Sequence, residues 1–387
     1  MMRCRGCGST GTDRVLDLGR VPAADFFPLA STPVSLDESS HPLAMELCRD
    51  CGLAQLAEDD TTPDEPRGVE PQALKDQAAE AVRTVAAAGW LLGDTVVEFG
   101  SPHGGSWLPL LGERGHRTPP PGVPASVVLD CFGLMHEPDQ LRAVRQRAAS
   151  TAVDGVLLLQ FHSLRTIVER GQWNALRHGH FAYYSLTTLT RLLADAGMRV
   201  ADAWEFPLYG GTVLTAARRG GGLDVSGSTA VRRIMAKEHD ATLTEAETVR
   251  RLQSSADLQA TSLRHWLEEM AADGRRICAY GAASRAVALF TRARIDRRLV
   301  AVVADASEAK QGRRMPGTDI PIVSPDHLLA TEPHRVLVTV PDLMPEVSRR
   351  LPTLQGRWIT PALEEAGNTL ITKGIHEVIV GGQPGGT

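Results

Sequence analysis

Four cysteines in two closely spaced pairs are the strongest chemical signal in the sequence. Cys4 and Cys7 form one Cys-x-x-Cys pair, and Cys48 and Cys51 form a second. Each pair places two thiols on one tight turn, and four thiolates suit the tetrahedral coordination of a structural zinc ion. Two disulfides are the alternative, but six cysteines in 387 residues are too few for a disulfide scaffold. The spacing therefore predicts one zinc ion that is bound by all four cysteines.

The segments around these cysteines belong to a longer pattern. CRGCGSTGTDRVLDLGRVPAADFF and LCRDCGLAQL resemble the N-terminal zinc-binding segment of the deoxysugar C-methyltransferases of antibiotic biosynthesis. VVEFGSPHGG resembles the methyl-donor loop of that family, HGHFAYYSLTTL its catalytic segment, and YGAASRA with AKQGRRMPGTDIPIVSP its C-terminal domain. The resemblance covers nearly the whole chain. It implies an enzyme that uses S-adenosylmethionine to methylate a carbon next to the ketone of a thymidine-diphosphate 4-keto-6-deoxysugar.

The resemblance places the methyl donor at the turn after a predicted strand over residues 95–99. In class I methyltransferases a strand that ends in a carboxylate and a glycine turn holds the amino-acid end of the donor. Glu98 and Gly100 match that pattern, and Gly104 and Gly105 keep the turn open for a close backbone approach.

The adenosine side of this donor site is incomplete. The family continues with a strand whose terminal acid binds the donor ribose, but here LGERGHRTPPPGVP runs directly into the next strand. Glu113 is the nearest acid, and its position at a helix end favours a surface charge. Without the ribose acid the site loses a pair of charge-assisted hydrogen bonds. The sequence therefore predicts that S-adenosylmethionine binds weakly or not at all, and that the sheet has fewer strands than a standard methyltransferase.

Histidines dominate the candidate substrate side. By resemblance, His180 occupies the position of the base that removes the proton next to the ketone, a task that suits a side chain titrating near neutrality. Packing against the neighbouring aromatic residues is the structural alternative for His180. His162 is a further candidate because it follows a buried strand, where α/β folds place ligands. The remaining candidates are His178 for catalysis and His136, Arg177 and Tyr184 for substrate binding.

The C-terminal half contains a second candidate ligand turn, YGAASRA, directly after a predicted strand. Its small residues could present backbone N–H groups to a phosphate, and Ser284 and Arg285 could add contacts to a diphosphate. Small residues at such a turn also serve packing alone, so both interpretations stay open. Lys310 becomes a candidate only through the resemblance of AKQGRRMPG to a family loop.

The elements that must position these residues alternate between strand and helix. Strands are predicted near 95–99, 126–129 and 155–160, and a helix near 138–149 lies between the last two. A helix at 186–196 and strands at 198–205 and 212–217 follow. Beyond a long helix, broken once, a second alternation begins at RRICAYG. The pattern predicts an α/β protein with a small zinc-binding module, a truncated class I methyltransferase domain that is Rossmann-like, and a C-terminal Rossmann-like domain.

Domain boundaries are predicted where composition changes. The segment 58–71 is rich in proline and acidic residues and resembles a linker, and the glycines at 220–222 mark a second boundary. The predicted domains are therefore residues 1–57, 58–222 and 223–387.

Composition narrows the function classes. The chain is 43% hydrophobic and 22% charged with a net charge of −5, as in ordinary globular proteins, and it has no basic run. These features argue against a nucleic-acid surface, and no apolar run reaches the length of a membrane span. A cytoplasmic location and a small-molecule substrate are expected.

Three functions remain compatible with the sequence. The first is a C-methyltransferase that deprotonates a nucleotide-linked keto-sugar and methylates the enolate. The second is an isomerase, epimerase or lyase that uses the same enolate without a methyl donor. The third is a non-catalytic member of the family, because fold indicates ancestry better than reaction.

Overall fold

A computed structural model describes residues 3–61, 70–102, 104–220, 227–360 and 376–377. Most of the predicted linker and two of the three boundary glycines lie outside the described residues. The chain forms two compact units, and each statement below concerns their described residues. Unit 1 comprises Met1–Asp17, Ala44–Asp59 and Glu70–Gln253, and unit 2 comprises Leu18–Leu43, Asp60–Val69 and Ser254–Thr387. The three predicted domain boundaries stay predictions.

Fifteen strands are present in the described residues. In chain order they are β1 Thr12–Val21, β2 His41–Cys48, β3 Ala54–Leu56, β4 Val96–Phe99, β5 Ala125–Cys131, β6 Thr151–His162, β7 Ala182–Tyr183, β8 Met198–Phe206, β9 Thr212–Arg219, β10 Ile277–Tyr280, β11 Val303–Ala304, β12 Ile322–Val323, β13 Arg335–Val338, β14 Trp358–Thr360 and β15 His376–Glu377.

Ten α-helices accompany them in the same described ranges. They are α1 Gln72–Ala87, α2 Leu108–Gly112, α3 Gln140–Ser150, α4 Leu164–Glu169, α5 Leu186–Asp195, α6 Thr229–Asp240, α7 Ala246–Ala272, α8 Ser284–Arg292, α9 Pro325–Ala330 and α10 Met344–Arg350. Side-chain caps define four of the starts, before α3, α5, α6 and α9. Asp139, for example, accepts a hydrogen bond from the N–H of Arg142 before α3, and Ser185 accepts one from the N–H of Thr188 before α5. None of the described helices is long and apolar enough to cross a membrane.

The main sheet of unit 1 has the strand order β4-β5-β6-β9-β8. Strands β4, β5 and β6 run parallel, and β9 is antiparallel to both β6 and β8. The helix α3 connects β5 to β6, as the alternating pattern predicts for parallel neighbours. The predicted α/β fold is confirmed, and the carboxyl ends of β4, β5 and β6 lie along one edge of the sheet.

Strand β4 is the outer strand of this sheet. Between β4 and β5 the structure describes every residue except 103, and this stretch contains only α2 and one isolated parallel bridge from Thr95 to Arg117. The predicted loss of a strand–helix segment at this point is therefore confirmed. The side of β4 that would pair with a further parallel strand carries only that bridge.

One face of the main sheet is covered by α1 and α2. The apolar residues that pack there come from both helices and from alternate positions of the strands, and they include Val85, Trp107, Val127, Leu158 and Leu214, each at most 1% exposed. Because side chains alternate along a strand, the even-numbered residues of β6 point to this face. At the end of β6 these residues are Gln160 and His162.

Two other sheets complete the described structure. A four-stranded sheet has the order β1-β2-β3-β7, and in it β7 pairs antiparallel with β3. Unit 2 contains a sheet of order β12-β11-β10-β13-β14-β15, which is parallel except for the β14–β15 pair. The second α/β alternation predicted from RRICAYG onward is thus present, with β10 and β11 as parallel neighbours.

Candidate functional site

The four cysteines of the two Cys-x-x-Cys pairs lie together in unit 1. Their sulfur atoms are all within 4.8 Å of one another, and none of the four forms a disulfide. The Sγ atoms of Cys4 and Cys51 are 3.5 Å apart and those of Cys7 and Cys48 are 3.6 Å apart. Sulfurs bound at about 2.3 Å around a tetrahedral zinc ion are about 3.8 Å apart, so the cluster fits zinc. All four ligand positions are protein thiols, which is typical of a structural site.

The thiols of this cluster differ in pKa. A hydrogen bond with the Cys51 thiol lowers the pKa of Cys4 to about 5, whereas the same hydrogen bond raises the pKa of Cys51. Burial raises the pKa of Cys7 to about 11. The Cys4 thiol is therefore deprotonated more readily than those of Cys7 and Cys51, and metal binding requires the ligand thiols to lose their protons.

The cysteine module also contacts the segment that carries the candidate base. Arg5, between two of the ligands, donates hydrogen bonds to the carbonyl oxygens of Leu56 and Pro138, and its guanidinium lies 4.8 Å from the ring centroid of Phe181. The N–H of Leu56 donates to the Phe181 carbonyl, and the hydroxyl of Thr188 donates to the Gly52 carbonyl. The zinc module and the segment before β7 are therefore one hydrogen-bonded structure.

Two histidines that are far apart in sequence meet beside this segment. The rings of His136 and His180 are 4.5 Å apart between centroids and nearly perpendicular, at 86°. Arg177 Nε lies 2.7 Å from His180 Nε2, and His136 Nδ1 lies 2.9 Å from the Gly179 carbonyl oxygen. The N–H of Gly179, whose φ is +76°, donates to Asp59 at 2.7 Å. The structure thus brings His136, Arg177 and His180 together, and adds Asp59 as a residue that sequence reasoning missed.

Other predicted site residues lie elsewhere in unit 1. His178 is 2% exposed, next to the histidine pair in sequence. His162 Nε2 lies 3.1 Å from Gln172 Oε1 at the end of β6. Tyr184 is 1% exposed and its hydroxyl donates to Gln140, and its assignment to substrate binding stays a prediction. Burial raises the pKa of Tyr184.

A buried ion pair shapes the turn that carries His136. Asp130, at the end of β5, accepts hydrogen bonds from the N–H groups of Gly133 and Leu134 through Oδ1. Its other oxygen lies 2.6 Å from Arg147 Nε, and both side chains are at most 2% exposed. The same guanidinium reaches Glu137 at 3.2 Å. Burial raises the pKa of Asp130, and the adjacent Arg147 charge opposes that rise.

The turn after β5 also approaches the end of β4 closely. A Cβ on Gly133 would lie 2.6 Å from the Phe99 carbonyl oxygen, so only glycine fits there. The Arg147 guanidinium lies 4.4 Å from the Phe99 ring centroid. Sequence reasoning missed Arg147, because nothing in its helical spacing distinguishes it from the exposed arginines around it.

The predicted donor loop matches a methyl donor at one end only. Gly104 and Gly105 have φ of +94° and +87°, conformations that favour glycine and let a ligand approach the backbone. Both carboxylate oxygens of Glu98 already accept hydrogen bonds from the loop: Ser106 Oγ donates to one at 2.5 Å and the Trp107 N–H to the other at 2.7 Å. Gly100 follows directly after β4. The amino-acid end of a donor is therefore accommodated in part.

The adenosine end does not fit. Among the described residues 104–124 the only acid is Glu113, which is exposed at the C-terminal end of α2. No carboxylate in that stretch is therefore placed to bind the ribose hydroxyls of S-adenosylmethionine.

The candidate ligand turn of unit 2 is clamped from two sides. Asp305, just after β11, accepts a hydrogen bond from the Ala282 N–H at 2.7 Å, and Lys310 Nζ donates to the Ala282 carbonyl at 3.0 Å. Lys310 is 5% exposed and lies 4.6 Å from the Phe27 ring centroid, and its charge stabilises the turn. Its assignment to substrate binding stays a prediction. Ser284 is buried at the first position of α8, and Arg285 is half-buried beside it.

Two family models match this chain, one near its N-terminal end and one in its C-terminal half. Residues 4–65 match a family model described as a putative zinc-binding domain, and residues 207–362 match one described as a C-methyltransferase C-terminal domain. Together the two models match more than half of the chain. The C-methyltransferase NovU of Streptomyces niveus is 26% identical over 405 residues, covering 93% of this chain and 95% of that protein.

Similar solved structures match a smaller part of the chain. Magnesium protoporphyrin IX methyltransferase of Synechocystis, with bound S-adenosylhomocysteine, is 17% identical over 38% of this chain and 84% of its own, at a TM-score of 0.30. The CcbJ methyltransferase of Streptomyces caelestis is 12% identical over 41% of this chain and 100% of its own, also at 0.30. These scores are too low to transfer any property to this chain.

The zinc cluster yields a direct prediction. Protein purified without chelator should contain one zinc ion per chain, with four sulfur ligands at about 2.3 Å by X-ray absorption. Cys51→Ser should lose the metal and most of the folded protein, because metal binding contributes folding free energy. Cys278→Ser, at a buried cysteine of unit 2, is the matched control and should retain the metal. Zinc-free native protein, or a disulfide among the four cysteines, would contradict the assignment.

The buried ion pair yields a second prediction. Arg147→Met leaves the Asp130 carboxylate buried without its partner, which should lower the free energy of unfolding of unit 1 by about 3–5 kcal/mol. The double variant Asp130→Asn/Arg147→Met removes both charges and keeps an acceptor for the turn, so it should recover at least half of that loss. Urea unfolding measures both. Equal losses in the single and double variants would show that packing, and not the unpaired charge, dominates.

Proposed function

Since the chain belongs to the family of C-methyltransferases that join a zinc-binding domain to a C-methyltransferase C-terminal domain, we propose that it acts in natural-product biosynthesis on a nucleotide-linked keto-deoxysugar. In this proposal His180 removes a proton from the carbon next to the ketone. The observation that carries the proposal is the contact between His180, His136 and Arg177 in unit 1.

The contact with Arg177 supports His180 as the base. A guanidinium has only hydrogen-bond donors, so the ring nitrogen that faces Arg177 Nε must accept. That arrangement requires a neutral imidazole, which is the form able to take a proton. The lone pair of that nitrogen is engaged by Arg177, so the contact must open before His180 can take the substrate proton. Arg177 is then free to stabilise the negative charge that develops on the ketone oxygen.

The tautomer of His136, which lies beside His180, is also defined by its hydrogen bond. A backbone carbonyl only accepts hydrogen bonds, so the contact with Gly179 places the proton of His136 on Nδ1. In the neutral ring Nε2 is then an acceptor, suited to a substrate hydroxyl or to holding a proton. Asp59 fixes Gly179 from the other side, so the chain just after β3 helps to hold the carbonyl that sets this tautomer.

Unit 2 contains a separate candidate turn for a diphosphate group. The turn from Gly281 to Ser284 leads into α8, whose first position has no side-chain cap in the structure. Backbone N–H groups at such a turn suit a diphosphate, and Arg285 can add a bidentate contact. The resemblance of the sequence motifs to the deoxysugar enzymes supports a thymidine-diphosphate sugar as the substrate class.

A second candidate function is favoured by the outer position of β4. The carboxylates present do not fit the adenosine end of S-adenosylmethionine, so we derive no step through that donor. An enolate formed by His180 can be reprotonated on the opposite face, which gives an epimer, or can expel a neighbouring group, which gives an unsaturated product. An isomerase, epimerase or lyase would therefore need only the residues that unit 1 brings together.

Replacing the base should separate chemistry from folding. His180→Asn should slow the exchange of the proton next to the ketone by about 10²–10⁴-fold, because a general base contributes that much. The probe is thymidine-diphosphate-4-keto-6-deoxyglucose in D₂O, followed by NMR. His265→Asn replaces a histidine on α7 that is 74% exposed at its side chain and should leave the rate unchanged.

The base assignment fails if His180→Asn exchanges at a near-normal rate while remaining folded. If His136→Asn alone abolishes exchange, the two histidines have the opposite roles. Loss of exchange in the exposed control would indicate a general folding defect.

The donor site provides a separate prediction. Titration calorimetry with S-adenosylmethionine and with S-adenosylhomocysteine should give dissociation constants no tighter than about 1 mM, because no carboxylate in the described stretch fits the ribose. The substitution Thr118→Glu places an acid next to the bridge at the outer edge of β4. It should not weaken the binding of S-adenosylmethionine further. Low-micromolar affinity in the unaltered protein would refute the second candidate function and leave methyl transfer as the sole proposal.

A further inference from the structure

Five residues lie at the carboxyl edge of the main sheet of unit 1, separate from the contact between His136 and His180. Four of them contact one another directly. The fifth, Gln160, shares one face of β6 with His162, and its carbonyl accepts a hydrogen bond from the Phe132 N–H. The cluster consists of Phe132 after β5, Gln160 and His162 at the end of β6, Gln172 after α4, and Tyr209 before β9. We refer to these five residues as the carboxyl-edge cluster. Three of them, Phe132, His162 and Tyr209, have half-buried rings that present part of their surface.

Two members of the cluster have an unusual backbone conformation. Phe132 has a φ of +63° and Tyr209 a φ of +55°, in the left-handed region that bulky residues rarely adopt. Their rings touch edge to face, with centroids 5.8 Å apart. Non-glycine residues in such conformations concentrate at ligand sites, where the surrounding structure holds them in place. Two strained aromatic residues in contact with each other therefore point to a ligand-binding surface.

Gln160 is the independent sign of a ligand. Its side chain is 1% exposed, and its Nε2 donates to Thr212 Oγ1 at 3.1 Å. Its Oε1 has no hydrogen-bond donor within the described part of the chain. A buried acceptor without a donor destabilises the folded state, so such an atom calls for an explanation. The explanation that fits its place in the sheet is a group carrying O–H or N–H that arrives with a ligand.

The rest of the cluster is held by its own hydrogen bonds. Gln172 Nε2 donates to the Tyr209 carbonyl at 3.2 Å, and its Oε1 lies 3.1 Å from His162 Nε2. A carboxamide oxygen only accepts, so the proton of a neutral His162 is on Nε2 and its Nδ1 is an acceptor. The His162 and Tyr209 rings are 6.4 Å apart between centroids. The cluster therefore offers aromatic faces together with acceptors.

The cluster is adjacent to the proposed base in the fold. Phe132 and His136 stand at opposite ends of one short turn after β5, the turn that Asp130 organises. Gln172 and Arg177 lie on one connection between α4 and β7. A ligand that reaches His180 with one end can therefore cover the carboxyl-edge cluster with another part.

We propose that the carboxyl-edge cluster binds the sugar ring of the substrate. Gln160 Oε1 accepts a hydrogen bond from a ring hydroxyl, and Phe132 and Tyr209 cover the apolar C–H face of the ring. Phosphate and ketone oxygens are acceptors and cannot satisfy Gln160, so the chemistry selects a hydroxyl-bearing ligand. The inference rests on the proposed function, because it takes the nucleotide-linked sugar as the ligand and assigns these residues to one part of it.

The test removes the amide and its partner together. In Gln160→Met/Thr212→Val both hydrogen-bonding groups become apolar with little change in shape, which is nearly neutral or stabilising for the protein alone. The variant should bind thymidine-diphosphate-4-keto-6-deoxyglucose at least about tenfold more weakly, the loss expected for one hydrogen bond to a buried group. Its affinity for thymidine diphosphate, which lacks the sugar, should change less than about twofold.

The matched control is Thr215→Val in β9. Thr215 is fully buried, but its hydroxyl donates to the Leu159 carbonyl at 3.1 Å and so is already satisfied. This control should lower the melting temperature and leave both affinities unchanged. The double variant should melt at or above the temperature of the unaltered protein.

Each other outcome overturns the inference. If the double variant binds the sugar nucleotide with unchanged affinity, Gln160 makes no hydrogen bond to a sugar hydroxyl. If its affinity for thymidine diphosphate falls by the same factor, the cluster binds the nucleotide and not the sugar. Selective loss of S-adenosylhomocysteine binding would assign it to a methyl donor. A melting temperature lowered as in the control would make Gln160 a structural residue. If the proposed function itself fails, the unaltered protein will show no exchange next to the ketone, which is a different readout.

Discussion

The cluster of four cysteine sulfurs is the constraint on which the candidate site depends. It joins chain segments 47 residues apart in sequence, and the metal that fits it contributes folding free energy directly. The pairing of these segments provides β3, and β3 provides the edge on which β7 forms. His180 lies just before β7, and the next residue, Phe181, is held by the Leu56 N–H on one side and by the Met135 carbonyl, in the turn after β5, on the other. A module that takes no part in the chemistry therefore determines where the proposed base stands.

Buried polar groups at the carboxyl edge differ in how they are satisfied. The charges of Asp130 and Arg147 neutralise each other, and Asp130 also organises the backbone of the turn that carries His136. Gln160, on the next strand, has an acceptor that no described residue satisfies. The first arrangement gives stability and orientation, whereas the second is costly unless a ligand completes it. Their proximity on adjacent parallel strands is typical of a site in which the fold supports the chemistry and the ligand supplies the final contacts.

Much of the fold could be predicted from the sequence, because its signals are local. Cysteine spacing indicated the zinc cluster, and alternating buried strands and helices indicated both α/β sheets and the break between α6 and α7. The contact between His136 and His180 is not local: it depends on the turn after β5 meeting the segment before β7. The sequence separated His136 from the catalytic candidates for that reason. For Lys310 and Tyr184 the residue type suggests a ligand contact, but the burial and hydrogen bonding that the structure gives them could not be predicted from the sequence.

We propose that unit 1 removes the proton next to the ketone and, within its described residues, lacks a complete donor site. A single incubation in D₂O with thymidine-diphosphate-4-keto-6-deoxyglucose and methyl-labelled S-adenosylmethionine measures both reactions at once, by mass spectrometry of the recovered sugar nucleotide. The account predicts deuterium at the carbon next to the ketone, at the same rate with and without the donor, and no labelled methyl group. Deuterium incorporation that requires the donor, or a labelled methyl group in the product, would contradict it.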